Sequence, residues 1–376
     1  MKPSVQLFIA VLAAGVFLSA CSQEKTLTPA FFPHENPEAL SDWGMFSASK
    51  GVLQLGEGVT PYDLATPLFS DYALKLRTVW IPGGAAQYDA DNAFDFPLGT
   101  VITKTFYYPL QGNTDFNAVT YGPDRTVNNG VMKLEGYRLI ETRILVRREE
   151  GWAALPYVWN DEQTDAVLQR TGAIKPMTLH RPDGRSEDFS YLVPNANQCA
   201  ACHATNASTK EIQPIGMKAR HLNKRSTFNP SVGQLNDWIT LGLLSGDFDE
   251  AIGASANVDY RDGTIPVAIR ARSYLDINCS HCHNPNGAAD TSGLDLEPGA
   301  TGPALGVCKS PIAAGGGSGG LPFDIVPGAT DQSITLFRME TTDPGAMMPE
   351  LGRAITHEEG VELISSWISA MDGDCG

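Results

Sequence analysis

The sequence predicts an α+β chain of several domains, with a β-rich, sandwich- or barrel-like N-terminal domain followed by mainly α-helical modules. Between about residues 40 and 165, short β-branched and aromatic runs are punctuated by Gly, Pro, Asn and Asp. Beyond residue 263 the apolar residues recur at helical spacing. With 376 residues and 42% of them hydrophobic, the chain can bury more than one core.

The N-terminal part draws its strands from residues 74–80, 101–108 and 138–146, where Val, Ile, Thr and aromatic residues concentrate. Farther along, 234–244 and 269–275 read as helices, the second leading into Cys279. The stretch 357–368 is an amphipathic helix with Val361, Ile364, Trp367 and Ile368 on one stripe. The Gly-rich run 311–320 is too flexible in composition for a regular element, and no Lys-Ser or Lys-Thr follows it to suggest a phosphate cradle.

Two pentapeptides carry the chemistry: Cys199-Ala200-Ala201-Cys202-His203 and Cys279-Ser280-His281-Cys282-His283. In such a run two thiols can add across the vinyl groups of one porphyrin while the adjacent imidazole turns onto the iron, so the pair predicts two covalently bound haem c groups. A zinc site or a dithiol exchange motif are the alternatives, since Cys and His ligate zinc and Cys-x-x-Cys exchanges disulfides. Zinc ribbons bring their Cys pairs together over a shorter interval, and a dithiol does not call for His at both places. His281, inside the second motif, is expected to be a solvated or hydrogen-bonding side chain. For the iron at His203 the distal ligand stays open: Met217 and His221 are the downstream candidates, sharing a face if that segment is helical, and Met177 and His180 lie upstream.

Residues 263–376 resemble a class I cytochrome c domain: a helix enters Cys279, Gly287 follows His283 at the family's spacing, and Met347-Met348-Pro349 is similar to its Met-Pro loop. The resemblance implies Met348 as the distal sulfur ligand opposite His283, a C-terminal helix packed on the N-terminal one, and a raised potential.

The first residues, Met1-Lys2-Pro3 and an apolar stretch over 5–18, read as an export signal. The signal ends in Leu18-Ser19-Ala20-Cys21, which resembles a bacterial lipobox and implies lipidation at Cys21. Ser22 rather than Asp then points to the outer membrane, facing the periplasm; a plain signal peptide with Cys21 incidental is the alternative. Of seven cysteines this leaves Cys308 and Cys375, which suggest a disulfide tying the C-terminal tail to the loop after the second motif. The expected organisation is a signal over 1–21, a β-rich domain over 22–165, a first haem module over 166–262 and a second over 263–376.

As a whole, the order of these features resembles a family of exported dihaem c-type cytochrome lipoproteins. What that implies is electron transfer in the cell envelope with protein redox partners and a membrane anchor, the competing expectation being a peroxidase-like dihaem enzyme with one open iron. A net charge of −16 with no long Lys/Arg run argues against nucleic acid as a partner.

Overall fold

The computed structural model describes residues 27–112, 115–123, 127–246, 253, 255–312 and 314–376, so the export signal and Cys21 lie outside the described residues. The chain is strand-rich, with several sheets. Strands β1 (Phe46–Ser49), β2 (Val52–Leu55), β3 (Thr60–Tyr62), β4 (Leu74–Trp80), β5 (Ala86–Gln87), β6 (Val101–Pro109), β7 (Ala118–Val119), β8 (Val131–Lys133), β9 (Tyr137–Arg148) and β10 (Gly151–Trp159) come first. They are followed by β11 (Ala166–Leu168), β12 (Ala173–His180) and β13 (Ser186–Val193), with β14 (Leu244–Ser245) much later. Helices α1 (Ala196–His203), α2 (Ala219–Leu222), α3 (Gln234–Thr240), α4 (Val267–Cys279), α5 (Ile334–Glu340) and α6 (Glu358–Ser369) occupy the second half. Among the described residues no helix is long and apolar enough to cross a membrane.

The principal sheet is antiparallel, in the order β11-β10-β9-β6-β4-β3. Because side chains alternate across a strand, its two faces have separate duties. One buries Leu76, Val101, Ile144, Val146, Leu155 and Tyr157 against Trp43 and Leu53. On this same face Thr78 meets Thr103 at 2.7 Å and Thr105 meets Thr142 at 2.8 Å, so the buried hydroxyls satisfy one another. The opposite face turns toward the helical half and is divided. Val79, Ile102 and Leu145 pack with Met217, Leu222, Trp238 and Ile277, whereas Phe106, Tyr108 and Val158 pack with Met177, Leu179 and Tyr191.

The strands run past residue 165, where the sequence placed the end of the β-rich part. Strand β11 pairs with β10, and β12 and β13 form a hairpin whose β12 also pairs parallel with β7. The turn Pro182-Asp183-Gly184 closes this hairpin, with Gly184 at φ 90° and the Arg181 N–H donating to the Arg185 carbonyl at 2.8 Å. Helix α3 likewise stops four residues short of the expected end at 244, because Gly242 at φ 71° turns the chain and frees Leu244 and Ser245 to pair with β5.

Helix α6 lies on α4: Leu363, Ile364, Trp367 and Ile368 pack with Ala271, Tyr274 and Leu275. Val361, expected on this stripe, only flanks the cluster. The crossing is close at Gly360, where a Cβ would stand 2.4 Å from the Tyr274 hydroxyl. Ile364 is fully buried here. Ile364→Ala should therefore cost about 2–5 kcal/mol, seen as a lower urea midpoint at unchanged slope; a loss under 1 kcal/mol would mean that the helix pair does not carry the C-terminal core.

Candidate functional site

The first motif sits on α1. Asn195 caps this helix, its side chain accepting from the Gln198 N–H at 2.9 Å while Gln198 Oε1 accepts from the Asn195 N–H at 2.9 Å. At the other end, His203 Nδ1 lies 2.7 Å from the Gln213 carbonyl. A carbonyl only accepts, so Nδ1 carries the proton and Nε2 keeps its lone pair. Burial, with the Lys104 ammonium nearby, pushes the ring down to about 3, and the imidazole is neutral.

The second motif begins at the last residue of α4. The His283 N–H donates to the Cys279 carbonyl at 2.9 Å, and a Cβ on Gly287 would come within 2.1 Å of the Cys282 carbonyl, so this turn admits only glycine there. His283 Nδ1 lies 3.2 Å from Ser292 Oγ, whose own proton goes to the Ala289 carbonyl at 2.7 Å. The serine oxygen thus accepts, and His283 also keeps Nε2 free. Burial and Arg338 lower its pKa to about 4.

A cavity of about 530 Å³ opens over this motif, walled by Cys279, Cys282, His283, Tyr274, Phe69 and Met348. Its volume falls in the range of cofactor sites, roughly 300–1,000 Å³. Met348 is steadied by its own N–H, which donates to the Arg338 carbonyl at 2.8 Å. Just downstream, Asp71 Oδ1 accepts from Ala354 N at 2.7 Å and Ile355 N at 3.1 Å, which fastens the Met348 loop to the sheet half. In the same wall Arg353 Nε is buried with no hydrogen-bond partner among the described residues. His281 lines the same cavity, and burial lowers its ring to about 4.

The two motifs, eighty residues apart in sequence, meet in space. Ala201 and Cys202 line the cavity over the second motif, the Cys282 thiol reaches the Ala201 carbonyl at 3.7 Å, and Ala207 N donates to the Asn286 carbonyl at 2.7 Å.

A smaller cleft of about 60 Å³ lies on the other side of α1, between Cys199, His203, Met217 and three cations of the sheet, Arg77, Lys104 and Arg143. Of the candidates around His203, only Met217 is in this wall. Met217 precedes α2 while His221 lies within it, so the two do not share the expected face; His221 Nδ1 pairs with Asn257 Nδ2 at 3.1 Å. Met177 is buried in the β12 cluster, and His180 Nδ1 lies 2.9 Å from Ser186 Oγ.

Cys308 and Cys375 are joined as a disulfide, while Cys199, Cys202, Cys279 and Cys282 are unpaired. Burial pushes the Cys279 and Cys282 thiols up to about 12 and raises those of Cys199 and Cys202. Among the described residues no group of three or more His, Cys, Asp and Glu side chains is gathered around a common metal position.

Models of protein families, curated proteins and solved structures were all compared with the chain, and none matches.

The second cavity fits a haem by volume, by its thiol pair, by a neutral His with a free Nε2, and by the buried Arg353 Nε, which a carboxylate would satisfy. The first cleft, far smaller, is lined by Cys199, His203 and Met217, while Cys202 faces the cavity over the second motif. Sequence reasoning missed Gln213, Ser292 and the three sheet cations. Ser292, nine residues past its histidine, had no local signal; the cations could have been found only from strand register.

Asp71 provides a direct pH test. Burial pushes its carboxyl from 3.8 up to about 6. A folded pKa above the unfolded one means that this group favours the fold below pH 3.8 and loses that contribution as pH rises to 6. Asp71→Asn should remove a fall in stability of about 3 kcal/mol between those limits, measured by urea unfolding at pH 4 and pH 6.5; an unchanged difference would mean that Asp71 titrates normally.

Proposed function

We propose that the chain is a dihaem c-type cytochrome that carries electrons in the bacterial cell envelope. The observation that carries this reading is the meeting of the two Cys-x-x-Cys-His motifs, each with its histidine Nδ1 hydrogen-bonded and its Nε2 left for iron. Bound haem would supply one-electron exchange between ferric and ferrous iron.

The chain's own residues do the rest. Cys199 with Cys202, and Cys279 with Cys282, would hold the two groups covalently; Gln213 and Ser292 orient His203 and His283. Met348, sharing a cavity with His283, would cap the second iron, and Met217, sharing a cleft with His203, would cap the first. Contact between Ala201 and Cys282 puts the attachment edges side by side, which favours exchange between the groups without a mobile carrier. Both irons are then closed, which supports electron transfer over the alternative of a peroxidase-like enzyme.

The resemblance of 263–376 to class I cytochrome c, with the mainly helical modules it implies, belongs to the same proposal. So do export, lipidation at Cys21, an outer-membrane position facing the periplasm, and redox partner proteins; the lipobox-like Leu18-Ser19-Ala20-Cys21 supports the anchor.

Expressed with a haem-attaching system, the chain should carry two haems by pyridine haemochrome and show only low-spin ferric signals by EPR. Met348→Ala should convert one of them to high spin. A high-spin haem already present in the unaltered protein would favour the enzyme, and absence of covalent haem would end both readings.

A further inference from the structure

Arg77, Lys104 and Arg143 are direct cross-strand partners on β4, β6 and β9, so three cations stand in register on one sheet face. Like charges placed opposite one another destabilise a sheet, and this row lies between two apolar clusters. Only part of its charge is answered within the chain. Arg143 donates to both oxygens of Glu141, at 2.9 and 2.6 Å, and Arg77 Nη1 lies 3.3 Å from Asp63 Oδ1. Arg77 Nη2 is buried with no partner among the described residues, in a residue only 5% exposed. Among the described residues no carboxylate lies within ion-pair distance of Lys104; its ammonium rests 5.4 Å from the Phe106 ring. All three side chains face the cleft that holds Cys199 and His203.

A buried donor without a partner, beside a lysine that burial and its two cationic neighbours hold down to about 7, leaves room in the cleft for an anion. The other walls are apolar, including Leu64, Ile102, Leu155 and Ile277. A hydrated free anion gains nothing from such walls, whereas a flat apolar body bearing carboxylates satisfies both the walls and the row. Porphyrin has that chemistry. We propose that the row Arg77, Lys104 and Arg143 seats the carboxylates of the haem attached at Cys199 and Cys202, so that the β-sheet forms a wall of that haem's site. The proposal rests on the reading of the two motifs given above, and it assigns the strand-rich half a part in the redox site.

A cation close to an iron disfavours the more positive ferric state, so its removal lowers the potential. In the full chain carrying two haems, Lys104→Gln should shift the ferric-to-ferrous ratio of one haem about tenfold at fixed potential, about 59 mV downward, and leave the other unmoved. Lys104→Arg should restore the value, and Lys133→Gln, at an exposed lysine, should change neither haem. Arg77→Gln is expected to act in the same direction and serves where the Lys104 variant fails to fold.

Two haems per chain with both potentials unmoved in both variants would overturn the proposal. So would a wild-type potential that moves on adding inorganic phosphate, since the row would then be taking a dissolved anion. Wild-type protein without covalent haem would instead refute the reading of the motifs, a separate outcome visible before any potential is measured.

Discussion

Asp276 is buried on α4, three residues before Cys279, and its carboxylate joins the parts of the molecule that must meet at the site. Arg220 of α2 donates to both its oxygens, at 2.8 and 3.0 Å, Asn257 Nδ2 donates at 2.8 Å, and Ser280 Oγ at 2.9 Å. Burial alone would raise its pKa; the Arg220 hydrogen bonds and charge, with the Asn257 donor, hold it down at about 2. A buried pair of this kind adds little net stability, but losing one partner leaves a bare charge and costs about 3–5 kcal/mol. Its effect is one of specificity: only one placement of α2 against α4 satisfies every group. Arg220 Nη1 extends the network by donating to the Asp91 carbonyl at 3.0 Å, in the loop between β5 and β6.

That placement decides how the two motifs approach each other. Met217 enters the core immediately before α2, and Ile277 lies one residue beyond Asp276; both pack against Val79, Ile102 and Leu145 of the sheet. The strand-rich and helical halves therefore share a core, which is why a boundary drawn in sequence does not coincide with a gap in the structure. With α4 fixed against α2 and the sheet, Cys282 is delivered to Ala201. The disulfide from Cys308 to Cys375 closes the far side, holding the tail after α6 to the chain after the second motif.

What could be read in the sequence was what short-range physics controls. Strands β4, β6 and β9 announce themselves through β-branched and aromatic residues, and α4 and α6 through helical period. The pentapeptides need only neighbouring residues. The β12 and β13 hairpin was hidden although Pro182-Asp183-Gly184 is a turn signal, because Pro176 inside β12 argues against a strand and the motif at Cys199 draws the segment toward a helical reading. The choice between Met217 and His221 was not legible for a different reason: it depends on α2 starting at Ala219, after Met217, and on Asn257 and Asp276 engaging His221 from elsewhere in the chain.

The cation row shows the same limit more sharply. Arg77, Lys104 and Arg143 are far apart in sequence, and each alone reads as an ordinary surface charge. Register makes them a unit, since a slip of one residue in β6 would turn Lys104 to the face that holds the threonine pairs. The sheet does contain an irregularity, between Phe106 and Tyr107, but it falls beyond Lys104 and leaves the pairing of Arg77 with Lys104 and of Lys104 with Arg143 intact. On either side of it, Phe106 and Tyr108 belong to a different cluster from Ile102. In a chain of net charge −16, carboxylates to neutralise the row are abundant, yet among the described residues only Glu141 and Asp63 reach it. Lys104, held down to about 7 by burial and by Arg143 and Arg77, thus stands where the sheet faces Cys199 and His203, and an anion from outside the polypeptide would restore its charge and complete the pairing.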